Sequence, residues 1–211
     1  MIEARDRAID ARTLNWRFLL PDEPEGILLL PVADERVPGA IVPDRDPGAL
    51  MVALEGRRYP AVVATDAAAW SAVAGRGAAR LLARLADAVE PGGSIYVGFA
   101  NPWYPAAPRS RGSLGLRRIQ RILGERGLVD AHAFVALPDQ ACPAYLVDAV
   151  DPACLEHFIR HLAVPHAGMS GLRGRVRQGL LRAMRFASLV APHSVRVRLA
   201  PATAVVARRP G

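Results

Sequence analysis

Leu81-Leu82-Ala83-Arg84-Leu85-Ala86-Asp87-Ala88-Val89-Glu90-Pro91-Gly92-Gly93-Ser94-Ile95-Tyr96-Val97-Gly98-Phe99 is the stretch that decides the fold. Leu81, Leu82, Leu85 and Val89 recur at helical spacing and put one apolar face on a helix. Pro91 has no backbone N–H and stops that helix, and Gly92-Gly93 tolerates the positive φ of a tight turn. The apolar run after Ser94 reads as a buried strand. Helix, turn and buried strand in succession form the repeating unit of an α/β sheet.

Working outward, residues 3–20 read as an opening helix that ends in Asn15-Trp16-Arg17-Phe18-Leu19-Leu20-Pro21. The short apolar runs 27–30, 40–42 and 61–64 read as buried strands, and 94–100 as a fourth. Asp46-Pro47-Gly48 starts a helix through Leu54, with Asp46 as N-cap and Pro47 at the first helical position. A long helix fills 71–89. Beyond the Pro-, Arg- and Ser-rich loop 102–112, a helix over 116–123 buries Leu116, Ile119, Ile122 and Leu123, and Gly127 ends it. Strands follow at 131–137 and 144–147, then a helix at 155–162 with Leu155, Phe158, Ile159 and Leu162 inward. A Gly-rich break at 168–174 leads to a basic helix over 175–189, and 195–207 reads as a closing β segment or hairpin around Pro201.

Strands alternating with helices predict a doubly wound, mainly parallel sheet with a C-terminal helical segment. At 211 residues the chain fits one domain, 1–211, in which 151–211 form an appended helical lid and closing hairpin. Apolar residues are 51 % of the chain, enough for a sizeable core. All 27 basic residues are arginine, and the net charge is +7. That charge suits a solvated basic surface or an anionic partner. A nucleic-acid ligand is not expected, because no motif interleaves aromatic with basic residues. No apolar run is long enough to span a membrane, and the charged Met1–Arg7 stretch lacks a signal core, so a cytoplasmic location is expected.

Cys142 and Cys154 form no CxxC pair, which disfavours a zinc site or a disulfide framework. Cys154, His157, His161 and His166 cluster in sequence, and His157 and His161 are at i,i+4, a spacing that can place two imidazoles on one metal. No acid completes that set, so no metal is expected. No nucleophile elbow or P-loop occurs, and no catalytic residue can be assigned. In the last helix Leu172, Val176, Leu180 and Met184 make an apolar stripe opposite Arg175, Arg182 and Arg185, a pattern that suits docking to an acidic partner or an ordinary solvated face.

The helix, Pro-Gly-Gly turn and strand over 81–99 resemble the segment before the fifth strand of class I S-adenosylmethionine (SAM) methyltransferases. Trp16-Arg17-Phe18-Leu19-Leu20-Pro21 before the first strand resembles the opening of bacterial methyltransferase domains from natural-product and cell-surface polysaccharide pathways. So do Gly127-Leu128, Leu137-Pro138 and Pro143-Ala144-Tyr145-Leu146-Val147, with Ala191-Pro192 and the ending Ala204-Val205-Val206-Ala207-Arg208. The resemblance spans most of the chain and implies a reduced Rossmann-like methyltransferase fold. It also implies an acidic residue and glycines straight after the first strand, where the backbone approaches SAM. Here Leu30 runs into Pro31-Val32-Ala33-Asp34-Glu35-Arg36-Val37-Pro38-Gly39. The one glycine is Gly39, and Pro31 and Pro38 each remove a donor.

Asp44, at the end of the second strand, matches the acid that binds the ribose hydroxyls in that family. Its competing role is in the turn Pro43-Asp44-Arg45-Asp46. Asn101-Pro102-Trp103-Tyr104 resembles the N-P-P-Y signature of amino methyltransferases, although it follows the fifth strand here and the fourth in that family. Asn101, Trp103 and Tyr104 are candidate substrate-pocket residues at the strand ends where α/β proteins bind ligands. The expectation is a pseudo-methyltransferase of a bacterial biosynthetic pathway with no cofactor. It would act as partner or scaffold, as a homo-oligomer, or on a small molecule or peptide by SAM-independent chemistry. The alternative is an active SAM-dependent methyltransferase with an atypical cofactor loop.

Overall fold

The computed structural model describes residues 11–20, 25–32, 37–104, 112–162, 186 and 188–211. Six strands form one sheet: β1 (Leu28–Leu30), β2 (Tyr59–Ala64), β3 (Val89–Ala100), β4 (Val129–Leu137), β5 (Tyr145–Asp148) and β6 (Ala202–Arg208), in the order β1-β2-β3-β6-β4-β5. β1, β2 and β3 are parallel. β6 is antiparallel to both β3 and β4, so β4 runs with β1–β3 although it lies beyond a reversed strand. β5 closes the sheet antiparallel to β4. Four strands thus run one way, with β6 reversed between β3 and β4 and β5 reversed at the edge; this mixed sheet with a mostly parallel core is consistent with the expected Rossmann-like methyltransferase fold.

The helices are α1 (Pro47–Leu54), α2 (Ala67–Val73), α3 (Ala78–Asp87), α4 (Leu116–Glu125), α5 (Pro152–His157) and α6 (His193–Arg198), with a 3-10 helix at Ala11–Leu19. α5 continues into a π-helical turn, Phe158–Leu162. The Asp46 carboxylate accepts the N–H groups of Gly48 at 2.8 Å and Ala49 at 2.9 Å, so the predicted cap starts α1 as expected.

The sheet separates two apolar layers. Leu50 of α1, Trp70 of α2, Leu81, Leu82 and Leu85 of α3, Ile119 and Leu123 of α4 and Leu155 of α5 pack with Leu28, Leu30, Val62, Ile95 and Val97 on one face. Burying each such leucine contributes about 1.5–3 kcal/mol. The other face carries Leu29, Ala61, Val63, Tyr96 and Val206, met by Trp16, Leu20 and Val37.

Several local expectations need correction. Pro91 does not stop a helix: α3 ends at Asp87, and Pro91, Gly92 and Gly93 lie inside β3. They form a bulge, because pairing with β2 jumps from Tyr59–Val89 to Ala61–Ser94. Gly92 takes φ 79° there, and a side chain on Gly93 would meet the Pro60 carbonyl oxygen at 2.8 Å. The tail of the chain clamps the bulge, with Gly92 N donating to Arg209 O and Arg209 N to Gly93 O.

The long helix over 71–89 is two helices, broken by Ala74-Gly75-Arg76-Gly77 with Gly75 at φ 59°. Residues 40–42 are not a strand; Ile41 makes a single parallel bridge to Leu28. The described part of the opening helix is 3-10 rather than α. The segment 195–198 is helical, in α6, so no hairpin forms around Pro201. The basic stripe from Leu172 to Met184, the Gly-rich break and His166 lie outside the described residues.

Candidate functional site

In α/β sheets ligands bind beyond the C-terminal ends of the parallel strands. At the end of β1 the chain turns into Pro31, which is buried and has no N–H to offer. Its carbonyl is occupied. The buried Trp70 indole Nε1–H donates to Pro31 O at 2.9 Å, and Arg45 Nη2 donates to the same oxygen at 2.9 Å. Arg45 also donates to Val32 O. Its guanidinium lies 5.5 Å from the centre of the Trp70 ring, a cation–π distance. Arg45 reaches this position because Asp46 caps α1 and fixes the turn before it. Trp70 does so because α2 starts at the Asp66 cap immediately after β2, with Asp66 accepting from Ala69 N at 3.1 Å.

Asp44 lies beside this latch, three positions past the Ile41 bridge, and is exposed. At the end of β3, Asn101 is buried and structurally engaged. Its Nδ2 donates to Val197 O at 3.2 Å and Arg198 O at 2.9 Å, and its Oδ1 accepts from Trp103 N at 3.1 Å. Asn101 therefore satisfies the last carbonyls of α6 and ties that helix to the sheet. Trp103 is 69 % exposed and Tyr104 is half-buried. The structure thus brings Asn101 and Trp103 together through the backbone, whereas Asp44 lies at the β1 side of the sheet.

Gly98 marks a close approach within the same end of the sheet. A Cβ there would lie 2.4 Å from Thr65 O and 3.1 Å from Gln140 Cβ, so the segment after β4 lies directly over β3. Thr65 Oγ1 is buried nearby, with no hydrogen-bond partner among the described residues.

A concavity of about 510 Å³ lies between β5 and α5 and is lined by Tyr145, Leu146, Val147, Asp148, Cys154 and Phe158, among others. His132 Nε2 is 3.0 Å from Asp148 Oδ2 across the β4–β5 pair. Burial pushes the Asp148 carboxyl up, but the N–H groups of Val150 and Asp151 and the His132 ring together hold it below the usual range. The Cys154 thiol donates to Asp151 Oδ2 at 3.2 Å, and that carboxylate pushes the thiol up, away from a reactive thiolate. The His157 and His161 rings stand 4.7 Å apart, as their spacing predicts. Glu156 is bound to Arg160 and Arg196 instead, and no group of three or more metal-ligating side chains occurs among the described residues.

The Arg45–Trp70 latch escaped the sequence reading. Trp70 stands just before the expected helix over 71–89 and Arg45 in the turn Pro43-Asp44-Arg45-Asp46, and their meeting at Pro31 is a tertiary event. The signal that could have exposed it is the pair of N-caps, Asp46 shortly past the Ile41 bridge and Asp66 just past the end of β2.

No family model matches the chain, and no curated protein matches it. Among solved structures it is similar to a SAM-dependent methyltransferase from Archaeoglobus fulgidus, with 11 % identity over 81 % of this chain and 67 % of that one, TM-score 0.40. It is similar to a possible exported protein from Bordetella parapertussis, with 14 % identity over 95 % of this chain and 66 % of that one, TM-score 0.40. It is also similar to the cyclase SpnF, with 14 % identity over 82 % of this chain and 56 % of that one, TM-score 0.36. The chain thus spans between 56 % and 67 % of the length of these proteins. The assignment of fold rests on the strand order and directions described above.

Proposed function

We propose that this chain is a pseudo-methyltransferase of a bacterial biosynthetic pathway, a partner or scaffold for another protein, that does not use SAM. The observation that carries this reading is the Pro31 carbonyl held jointly by Trp70 and Arg45. The resemblance puts a glycine loop and its backbone donors at this point; here stand Pro31, Pro38 and two side-chain donors directed at the protein itself. The residues present do not fit SAM in the usual pose. Seating it there would displace the latch and leave a buried carbonyl and a buried indole N–H unpaired, at about 1–3 kcal/mol each.

Incubation with SAM carrying a labelled methyl group tests the reading. Neither retained label after filtration nor transfer to a panel of amines and hydroxyl compounds is expected. Stoichiometric retention would overturn it.

Asp44 favours a second reading, an active methyltransferase with an atypical cofactor loop. It is exposed just beyond the Ile41 bridge, where an acid would accept both ribose hydroxyls. Under that reading Asp44→Ala weakens SAM binding; unchanged binding in the variant removes Asp44 from the site.

A further inference from the structure

Six exposed arginines lie on or just before one pair of packed helices. Arg80 and Arg84 lie one turn apart on the exposed side of α3, Arg76 just precedes that helix, and Arg117, Arg118 and Arg121 are exposed on α4. α3 and α4 pack side by side. Asp87, the last residue of α3, meets Arg126 at the end of α4 at 3.1 Å, so both helices bring their C-terminal ends together. With Asp87 engaged in that pair, the other carboxylate on these helices is Glu125. Among the described residues, none of the six arginines is in an ion pair.

From this geometry we infer that the exposed face of α3 and α4 docks the phosphate backbone of a nucleic acid. Unpaired guanidiniums bind phosphate oxygens bidentately. One helical turn separates Arg80 from Arg84, and Arg117 from Arg121, by about 6 Å of rise, while a duplex strand carries a charge about every 3.4 Å of axis. Each row can thus span neighbouring phosphates of one strand.

Two competing partners fit less well. A protein interface needs an apolar, aromatic-rich centre, and a membrane-surface helix needs apolar side chains to insert. The exposed large apolar residues include Phe18, Val52, Trp103 and Phe186, but none lies on α3 or α4. The absence of aromatic side chains from both helices also predicts backbone binding without base stacking. A sequence scan for alternating aromatic and basic residues cannot see this surface, because its arginines come from helices that are separated in the chain and joined by packing.

Fluorescence anisotropy with a labelled duplex of about 20 bp, two helical turns, tests the inference. Saturable binding is expected at about 50 mM salt, weakening roughly 100-fold by about 200 mM if some four phosphates are neutralised. The full chain with Arg80, Arg84, Arg117 and Arg121 all changed to Gln should lose binding at least as steeply at low salt. A control with Arg57, Arg58, Arg198 and Arg208 changed to Gln removes the same charge elsewhere and should keep most of it; circular dichroism melts establish that both variants fold. No binding by the parent chain, or equal loss in the two variants, overturns the inference. Displacement of the duplex by poly-L-glutamate at equal charge concentration also overturns it, in favour of an acidic protein partner.

Discussion

The indole N–H of Trp70 and the carbonyl of Pro31 are both buried, and their hydrogen bond satisfies two groups that water cannot reach. Trp70→Phe keeps the aromatic bulk and removes the donor. It should cost about 1–2 kcal/mol in urea denaturation, because Pro31 O retains Arg45 as a partner. Arg45→Ala removes the second donor to Pro31 O while Trp70 stays in place, and should cost about 0.5–1.5 kcal/mol. Cys154 makes the opposite point: an exposed thiol beside a concavity invites a catalytic reading, yet the Asp151 carboxylate keeps it protonated. Peptide-resolved alkylation by iodoacetamide near pH 8 should therefore be slower at Cys154 than for a free cysteine. Asp151→Asn should speed it, since the charge and the accepted hydrogen bond that raise the thiol are weakened; equal rates would remove the Asp151 contact from solution.

At the level of elements, α1 and β2 were legible because their signals are local. Asp46 and Pro47 announce a helix start, and the run from Tyr59 to Ala64 is buried almost throughout. Pro91-Gly92-Gly93 misled because a helix–strand turn and a strand bulge demand the same residues. What distinguishes them is the partner strand and the clamp by Arg209, more than a hundred positions away in sequence. The 71–89 helix divided because Gly75 and Gly77 frame a break that apolar periodicity passes over. The glycines also supply a paired prediction. Gly98→Ala pushes a methyl group to within 2.4 Å of the Thr65 carbonyl, inside the sheet, and should destabilise by about 1–3 kcal/mol or more. Gly124→Ala, in α4 with nothing within 4 Å, should stabilise by about 0.5–1 kcal/mol. Chemical denaturation of both variants checks the sign of each; a neutral Gly98→Ala would contradict the close packing of Gln140 and Thr65 around β3.

The whole molecule combines a sheet order that supports a methyltransferase-like fold with strand ends turned toward the protein itself. The fold was readable because buried runs and amphipathic helices carry it; the candidate site was readable only in outline. The prolines after β1 signalled the missing glycine loop, but the Arg45–Trp70 latch and the engagement of Asn101 with α6 depend on contacts between distant segments. The arginine face of α3 and α4 is likewise a product of packing. Isothermal titration calorimetry of the full chain with SAM and with its demethylated product, S-adenosylhomocysteine, tests the central claim most directly. A closed β1 end predicts no isotherm tighter than about 100 μM, equivalent to roughly 5.5 kcal/mol of binding free energy, for either compound. A low-micromolar isotherm with one site per chain would contradict it and favour the reading in which Asp44 belongs to a SAM site.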